Sequence, residues 1–280
     1  MPQTCIVTDN SAQFPHPKTL GQEHIFTLSV SLHPTVSTFL QTPMMTSLSL
    51  PSHQPYPLEL SPQVEQEIRH TLLSLSQSYQ SILFLLSSGT ILPTCQYLED
   101  LLRQTPLPVT VDIVDSQTTG FGLGWMVQSC AAQIANGANF QDIKRYLHYQ
   151  ISHVYTLFYF QSLLPLKHLG ILDSDQALIG DLLGIHPLVL LEKGHVLPYQ
   201  KARSLKNFFD LILDYAHEFN HIHFIGIHYG SMIAPADRKN ILNRMRSAFP
   251  KVVIDSQAFN HPLNVALGPQ TMSVIFVERY

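Results

Sequence analysis

The sequence predicts an α/β protein made of two α/β domains with mainly parallel sheets. Short runs rich in β-branched and aromatic residues alternate with longer segments of helical periodicity, which is typical of parallel strands joined by helices. Apolar residues make up 45% of the chain and charged residues 13%, a balance that supports hydrophobic cores and excludes a disordered chain. A length of 280 residues favours two domains, which we place at residues 1–153 and 154–280.

The first half contains three predicted strands, and turn residues or a helix follow each of them. Ser61 and Pro62 supply an N-cap and a first-turn proline, which indicate the start of a helix. The proline-rich stretch 42–57 predicts an ordered loop. The strands are expected at 5–8, 82–86 and 109–114, and further helices from about Thr94 and at 122–135.

The second half continues the alternation from about Val154. Glu192, Lys193 and Gly194 predict a hairpin turn between a strand at 186–191 and a returning strand at 195–198. The other strands are expected at 155–160, 222–228, 251–255 and 272–277, and the helices after a Ser204 cap and at about 235–249.

Charge and composition exclude several classes of protein. The net charge is −4 and there is no basic block, which argues against nucleic-acid binding. No signal-peptide pattern opens the chain, and its apolar runs are far shorter than the ~18 residues of a membrane span. We therefore expect a soluble, cytoplasmic protein without stable membrane insertion. Three cysteines without CxxC spacing indicate neither a disulfide framework nor a zinc site.

Ser87, Ser88 and Gly89 form the first candidate site, directly after the apolar run ILFLL. Hydroxyl and backbone N–H groups at the carboxyl end of a parallel strand, just before a helix, can hold a carboxylate or a phosphate. The alternative is an ordinary polar turn.

Gly120, Gly122 and Gly124 suggest a dinucleotide site, but their spacing is GxGxG rather than GxGxxG. Close helix packing through small residues is the interpretation we favour. No other cofactor is indicated.

Histidines and one arginine are the remaining candidates. His221 and His223 share a strand face, a spacing that can chelate a metal, whereas His228 lies on the other face. Since no cysteine or carboxylate accompanies them, surface or core histidines are the favoured reading. Arg203 precedes a helix start, where the macrodipole disfavours a cation. Either an anionic ligand or partner, or exposure to solvent, would explain an arginine at this position.

In this order, the motifs resemble the DegV family of bacterial fatty-acid-binding proteins over nearly the whole chain. The opening IVTDNSA at 6–12 is similar to the family's IVTDSSA. The segment TSLSLPS, which begins at Thr46, is similar to the family's TSQPS loop. Ser87-Ser88-Gly89 resembles the start of SSGLSGTY, and 114–124 a VIDS…GxG segment, which argues against a dinucleotide site. The most specific match is 194–204, which follows the pattern GxIxPxxKxRS.

The resemblance implies a two-domain α/β protein that holds a long-chain fatty acid in an internal apolar tunnel without catalysis of its own. It assigns the carboxylate contacts to Thr46, Ser47, Ser87, Ser88 and the Gly89 loop. Some members present the acid to a separate fatty acid kinase, and Arg203 matches an arginine that serves this encounter.

Two departures from the family pattern weaken the kinase expectation. The arginine of the family's GGRI segment is Ile171 here, and the histidine of its HTGPG motif aligns with Ala266. His261, five residues before Ala266, is a candidate substitute. Two alternatives remain open: a hydrolase or transferase that uses the Ser87–Gly89 loop on a small anionic substrate, and a structural or regulatory module without a ligand.

Overall fold

The computed structural model describes residues 4–30 and 62–278. The strands are β1 (Thr4–Asp9), β2 (Ile25–Leu28), β3 (Ser81–Leu86), β4 (Thr110–Asp115), β5 (Val154–Phe160), β6 (His186–Glu192), β7 (His195–Ala202), β8 (Ile222–Tyr229), β9 (Val253–Ala258) and β10 (Thr271–Glu278). The helices are α1 (Pro62–Ser78), α2 (Thr94–Gln104), α3 (Phe121–Ala135), α4 (Phe140–Ile151), α5 (Leu164–His168), α6 (Ser174–Leu182), α7 (Leu205–Ala216), α8 (Pro235–Ala248) and α9 (His261–Leu267). The α/β class is confirmed, and the predicted stretch 42–57 lies outside the described residues.

The first sheet is parallel throughout, as predicted, with the order β2-β1-β3-β4. Strands β1 and β3 are buried along their whole length. Burial on both faces is why the apolar residues 5–7 of β1 and 82–86 of β3 follow one another without alternation. Because the strands are parallel, β1, β3 and β4 end at the same edge of the sheet. The candidate loop at Ser87 therefore lies between the ends of two neighbouring strands.

The second sheet corrects the prediction of mainly parallel sheets. Its order is β7-β6-β5-β10-β8-β9, and only β8 and β9 are parallel; the other neighbours are antiparallel. The two-residue turn between β6 and β7 forces one antiparallel pair, since a parallel pair needs a long crossover. The last strand, β10, enters between β5 and β8 and runs against both.

Helix α3 lies between the two sheets and joins their cores. Its buried residues pack in one cluster with Ile6 and Leu83 of the first sheet and with Phe224 and Ile275 of the second. A Cβ on Gly122 would collide with Thr118 and one on Gly124 with the backbone of Gln13. Close packing through small residues, the favoured reading of the GxGxG segment, is confirmed.

Most predicted elements are present within two or three residues of their expected ends. Helices α4 and α9 and the short strand β2 are not among the predicted elements, although Asn139 and Asp142 form a capping box at the start of α4. All three cysteines are free. Within the described ranges, no helix is long and apolar enough to cross a membrane.

Candidate site: a serine loop beside an apolar cavity

The serine loop, Ser87–Gly89, is held at the end of β3 by its own backbone N–H groups. The N–H of Ser87 donates to Asp9 Oδ2 (2.9 Å) and the N–H of Gly89 to Asp115 Oδ2 (3.0 Å). The N–H of Ser88 donates to the carbonyl of Thr118 (2.8 Å). All three donors are therefore engaged by the protein, and the hydroxyl groups are what this loop offers to a ligand.

Asp9 and Asp115 end β1 and β4 and flank the loop from both sides. Asp9 is fully buried, and burial raises the pKa of its carboxyl group above the ordinary value. Hydrogen bonds from Ser11 and Ser87 lower that pKa, and the charge of Asp115 raises it. These carboxylates shape the loop, and the sequence signal for them is an aspartate at the end of each neighbouring strand.

The two serine hydroxyls differ in their surroundings. Ser87 Oγ donates to Thr119 Oγ1 (2.9 Å). Ser88 Oγ is fully buried and has no hydrogen-bond partner among the described residues, a costly state for a polar atom unless a ligand or water satisfies it. In residues 4–30 and 62–278, neither hydroxyl is hydrogen-bonded to a histidine, carboxylate or lysine, as an activated serine nucleophile would be.

An apolar cavity of about 660 Å³ lies in the second half of the chain, between α5, α6 and the β6–β7 hairpin. Small-molecule sites typically measure about 300–1,000 Å³. Most lining residues are aliphatic, and the polar ones lie together at the start of α6. The lining includes Leu163, Leu166, Ile171, Leu172, Ile179, Ile185, Val189, Val196, Asp173, Asp175 and Gln176.

The serine loop and the cavity meet in one hydrophobic cluster. Ile91 and Leu92, which follow the loop, pack in the same cluster as the cavity residues Leu163, Leu166 and Val189. The N–H groups of Ile91 and Leu92 both donate to the carbonyl of Ser88 (2.9 Å each). Apolar side-chain contacts therefore begin three residues after Ser88, at Ile91, and extend to the residues that line the cavity.

The turn of the β6–β7 hairpin contacts the residue that follows the serine loop, Thr90. Lys193 and Gly194 both have positive φ angles (49° and 76°), as a two-residue hairpin turn requires, so the predicted turn is confirmed. The hydroxyl of Thr90 donates to the carbonyl of Gly194. This contact joins the two sheets at the site.

His228 on β8 reaches from the second sheet to the start of α3. Its Nε2 accepts the N–H of Phe121 (2.9 Å), and its ring stacks on the ring of Phe121 at 4.3 Å between centroids. Burial lowers the pKa of His228 to about 3, so the ring is neutral at physiological pH. The sequence pattern predicts that His228 lies on a strand face, but it does not indicate the hydrogen bond with the N–H of Phe121. His221 and His223 are exposed, and in the described residues no group of three or more possible ligands could hold a metal.

We expect His228 to make the protein less stable in acid. Between pH 6.5 and about 3 the unfolded chain binds a proton at this ring and the native chain does not, so the free energy of unfolding falls as the pH falls. The free energy of unfolding, measured with urea at several pH values, should change with pH more steeply in the unchanged protein than in His228→Phe. The difference should be up to ~1.4 kcal/mol per pH unit. Equal slopes in this window would contradict a neutral buried imidazole.

The structure separates the other predicted site residues. Thr46 and Ser47 lie outside the described residues. Arg203 is exposed just before the Ser204 cap of α7, and His261 is exposed at the start of α9. The two departures from the family pattern lie at different positions. Ile171 lines the cavity, whereas Ala266 is buried in the hydrophobic cluster that contains Ile91 and Leu92.

The family model described as "Uncharacterised protein, DegV family" matches residues 3–279. The chain belongs to the DegV family. A DegV domain-containing protein of Clostridium perfringens is 28% identical over 127 residues, which is 45% of this chain and 44% of the relative. The aligned part thus spans less than half of that relative's length.

Solved structures share the DegV fold across the chain. A fatty acid binding DegV family protein of Streptococcus agalactiae is 20% identical, with a TM-score of 0.77 and full coverage of both chains. The Fatty Acid Kinase (Fak) B3 protein of Streptococcus pneumoniae, loaded with linoleic acid, is 13% identical, with a TM-score of 0.70 and coverage of 99% and 100%. At these identities the similarity establishes the fold alone. The fatty acids named here are ligands of the neighbouring proteins.

Proposed function

We propose that this DegV protein is a non-catalytic carrier that binds a long-chain fatty acid, with the alkyl chain in the apolar cavity and the carboxylate at the serine loop. The observation that carries the proposal is the fully buried Ser88 hydroxyl, which has no partner among the described residues and lies where the apolar cluster begins. A carboxylate is a ligand that accepts a hydrogen bond from this group. Solved DegV neighbours bound to heptadecanoic and linoleic acids support the choice of ligand.

The energetics favour an acyl chain over a small anion. Each buried CH₂ group contributes ~0.8 kcal/mol, so about fourteen of them supply on the order of 11 kcal/mol before the costs of ordering. Within residues 4–30 and 62–278, no cationic side chain is hydrogen-bonded to the loop, and the N–H groups of the loop are engaged by the protein. A small anion would therefore gain little here, and the apolar chain must provide most of the affinity. This weighs against the hydrolase or transferase alternative.

The proposed carboxylate clamp is tested with Ser88→Ala. We expect oleate binding to weaken at least tenfold, because a hydrogen bond to a charged group contributes ~1.5–3 kcal/mol. Binding of methyl oleate, which has no carboxylate, should hardly change. Fluorescence competition or calorimetry with both ligands measures the difference.

A second variant makes this test decisive. Thr46→Ala combined with Ser88→Ala removes one hydroxyl from each of the two segments that the family resemblance assigns to the carboxylate. Unchanged oleate affinity in the double variant would show that these hydroxyl groups do not bind the carboxylate. Ser74→Ala, which replaces a serine exposed on α1, is the control that should leave binding of both ligands unaffected.

Presentation of the acid to a separate fatty acid kinase is a second proposed role. Exposed Arg203, which the family resemblance assigns to this contact, favours the role, as does the fold shared with the Fatty Acid Kinase (Fak) B3 protein. The oleate-loaded chain, offered to a fatty acid kinase with ATP, should yield acyl phosphate. Arg203→Glu should lower that yield without changing oleate affinity. Absence of product with the unchanged chain would leave binding as the whole function.

A further inference from the structure

The start of α3 lacks a side-chain cap from its own segment. Gly120 precedes the helix, and no side chain there accepts a hydrogen bond from the first turn. The first N–H groups of a helix have no partner within the helix, and a nearby side chain usually satisfies them. Here the acceptor is His228 Nε2, which comes from β8, 107 residues along the chain.

The surroundings of His228 fit this capping contact closely. The ring lies between those of Phe121 and Phe259, with centroids 4.3 and 5.5 Å away and planes within 25° of parallel. A Cβ on Gly120 would lie 2.5 Å from His228 Nε2, and the φ of this glycine is +56°. The backbone thus approaches the imidazole at a position where only glycine fits without strain.

The capped turn is directly connected to the serine loop. Thr118 and Thr119 immediately precede Gly120. The carbonyl of Thr118 accepts the N–H of Ser88, and Thr119 Oγ1 accepts from Ser87 Oγ. Any shift of the α3 start therefore moves two of the groups to which the loop is hydrogen-bonded.

We propose that His228 is a positioning residue for the ligand site: it caps α3 from the second sheet and so fixes the place of the Ser88 hydroxyl. The expected effect on ligand affinity rests on the proposed fatty-acid binding. The expected effect on the position of the serine loop is independent of that proposal. The competing explanation is that His228 only fills space in the core, a role that an aromatic ring without an acceptor could also fill.

His228→Phe and His228→Gln in the full chain separate the two explanations. Phenylalanine keeps a ring and loses the acceptor, whereas the glutamine amide oxygen can replace Nε2. We expect His228→Phe to speed amide hydrogen exchange in peptides covering 86–92 and 118–124, and to weaken oleate binding about three- to tenfold. His228→Gln should restore most of both. If His228→Phe does not fold, His228→Asn, whose amide is too short to reach Phe121, takes its place.

Asn139→Ala is the matched control, because it removes the cap of α4, at the opposite end of α3. It should cost similar stability and leave oleate affinity and exchange at 86–92 unchanged. Unchanged exchange at 86–92 in His228→Phe, or failure of His228→Gln to restore it, would overturn the inference. If the unchanged protein binds no oleate, the proposed function fails while the exchange data still decide the role of His228.

Discussion

Oleate binding is expected to fall at least tenfold in Leu172→Asp. Leu172 lines the cavity and is half-buried, so the chain should tolerate the substitution. The new carboxylate would face the alkyl chain in an apolar environment, where an unpaired charge is costly. A loss of ~1.4 kcal/mol already corresponds to the tenfold change. Calorimetric titration with oleate measures it.

Leu182→Asp is the matched control for this substitution. Leu182 lies at the end of the cavity-lining helix α6, but its side chain is 77% exposed and does not line the cavity. The control adds the same charge at a nearby position, so general repulsion of an anionic ligand is equal in the two variants. Equal affinities for oleate in both variants would place the alkyl chain elsewhere.

Gly120→Ala is expected to lower the free energy of unfolding by about 2–5 kcal/mol. Two costs add together: the backbone angles of φ 56° and ψ −124° are unfavourable for any residue with a Cβ, and that Cβ would meet the His228 ring. Urea unfolding, with the midpoint and slope compared between variants, measures the loss.

Gly137→Ala separates these two costs. Gly137 also has a positive φ of 88°, but nothing lies within 4 Å of an added Cβ. The control should therefore lose only about 1–2 kcal/mol, from backbone strain. If the two alanine variants lose the same free energy, the close approach of Gly120 to His228 is not a feature of the folded protein.

Local signals in the sequence were sufficient for much of the fold and for the serine loop. Strand β3 is a pure apolar run, so its end at Ser87 was evident, as was the turn at Lys193 and Gly194. The directions of the second sheet's strands were not predictable in this way. An apolar strand looks the same in a parallel or an antiparallel pair when it is buried on both faces, and β10 enters between β5 and β8, neither of which adjoins it in the chain.

The site itself depends on contacts between distant residues, which periodicity does not reveal. The N–H groups of the serine loop were expected to be free for a ligand. In the structure they bind Asp9, Asp115 and Thr118 because neighbouring parallel strands end beside the loop. His228 was recognised only as one of several strand histidines. Its role follows from the partner that the second sheet brings to it, the N–H of Phe121.

Native mass spectrometry of the purified full chain, followed by organic extraction, tests the central proposal most directly. We expect a one-to-one adduct that extracts as long-chain fatty acid, or that forms when oleate or palmitate is added to the empty protein. A mass without adduct, unchanged after either acid is added, would contradict it. The chain would then be a DegV protein whose serine loop and cavity serve another ligand or none.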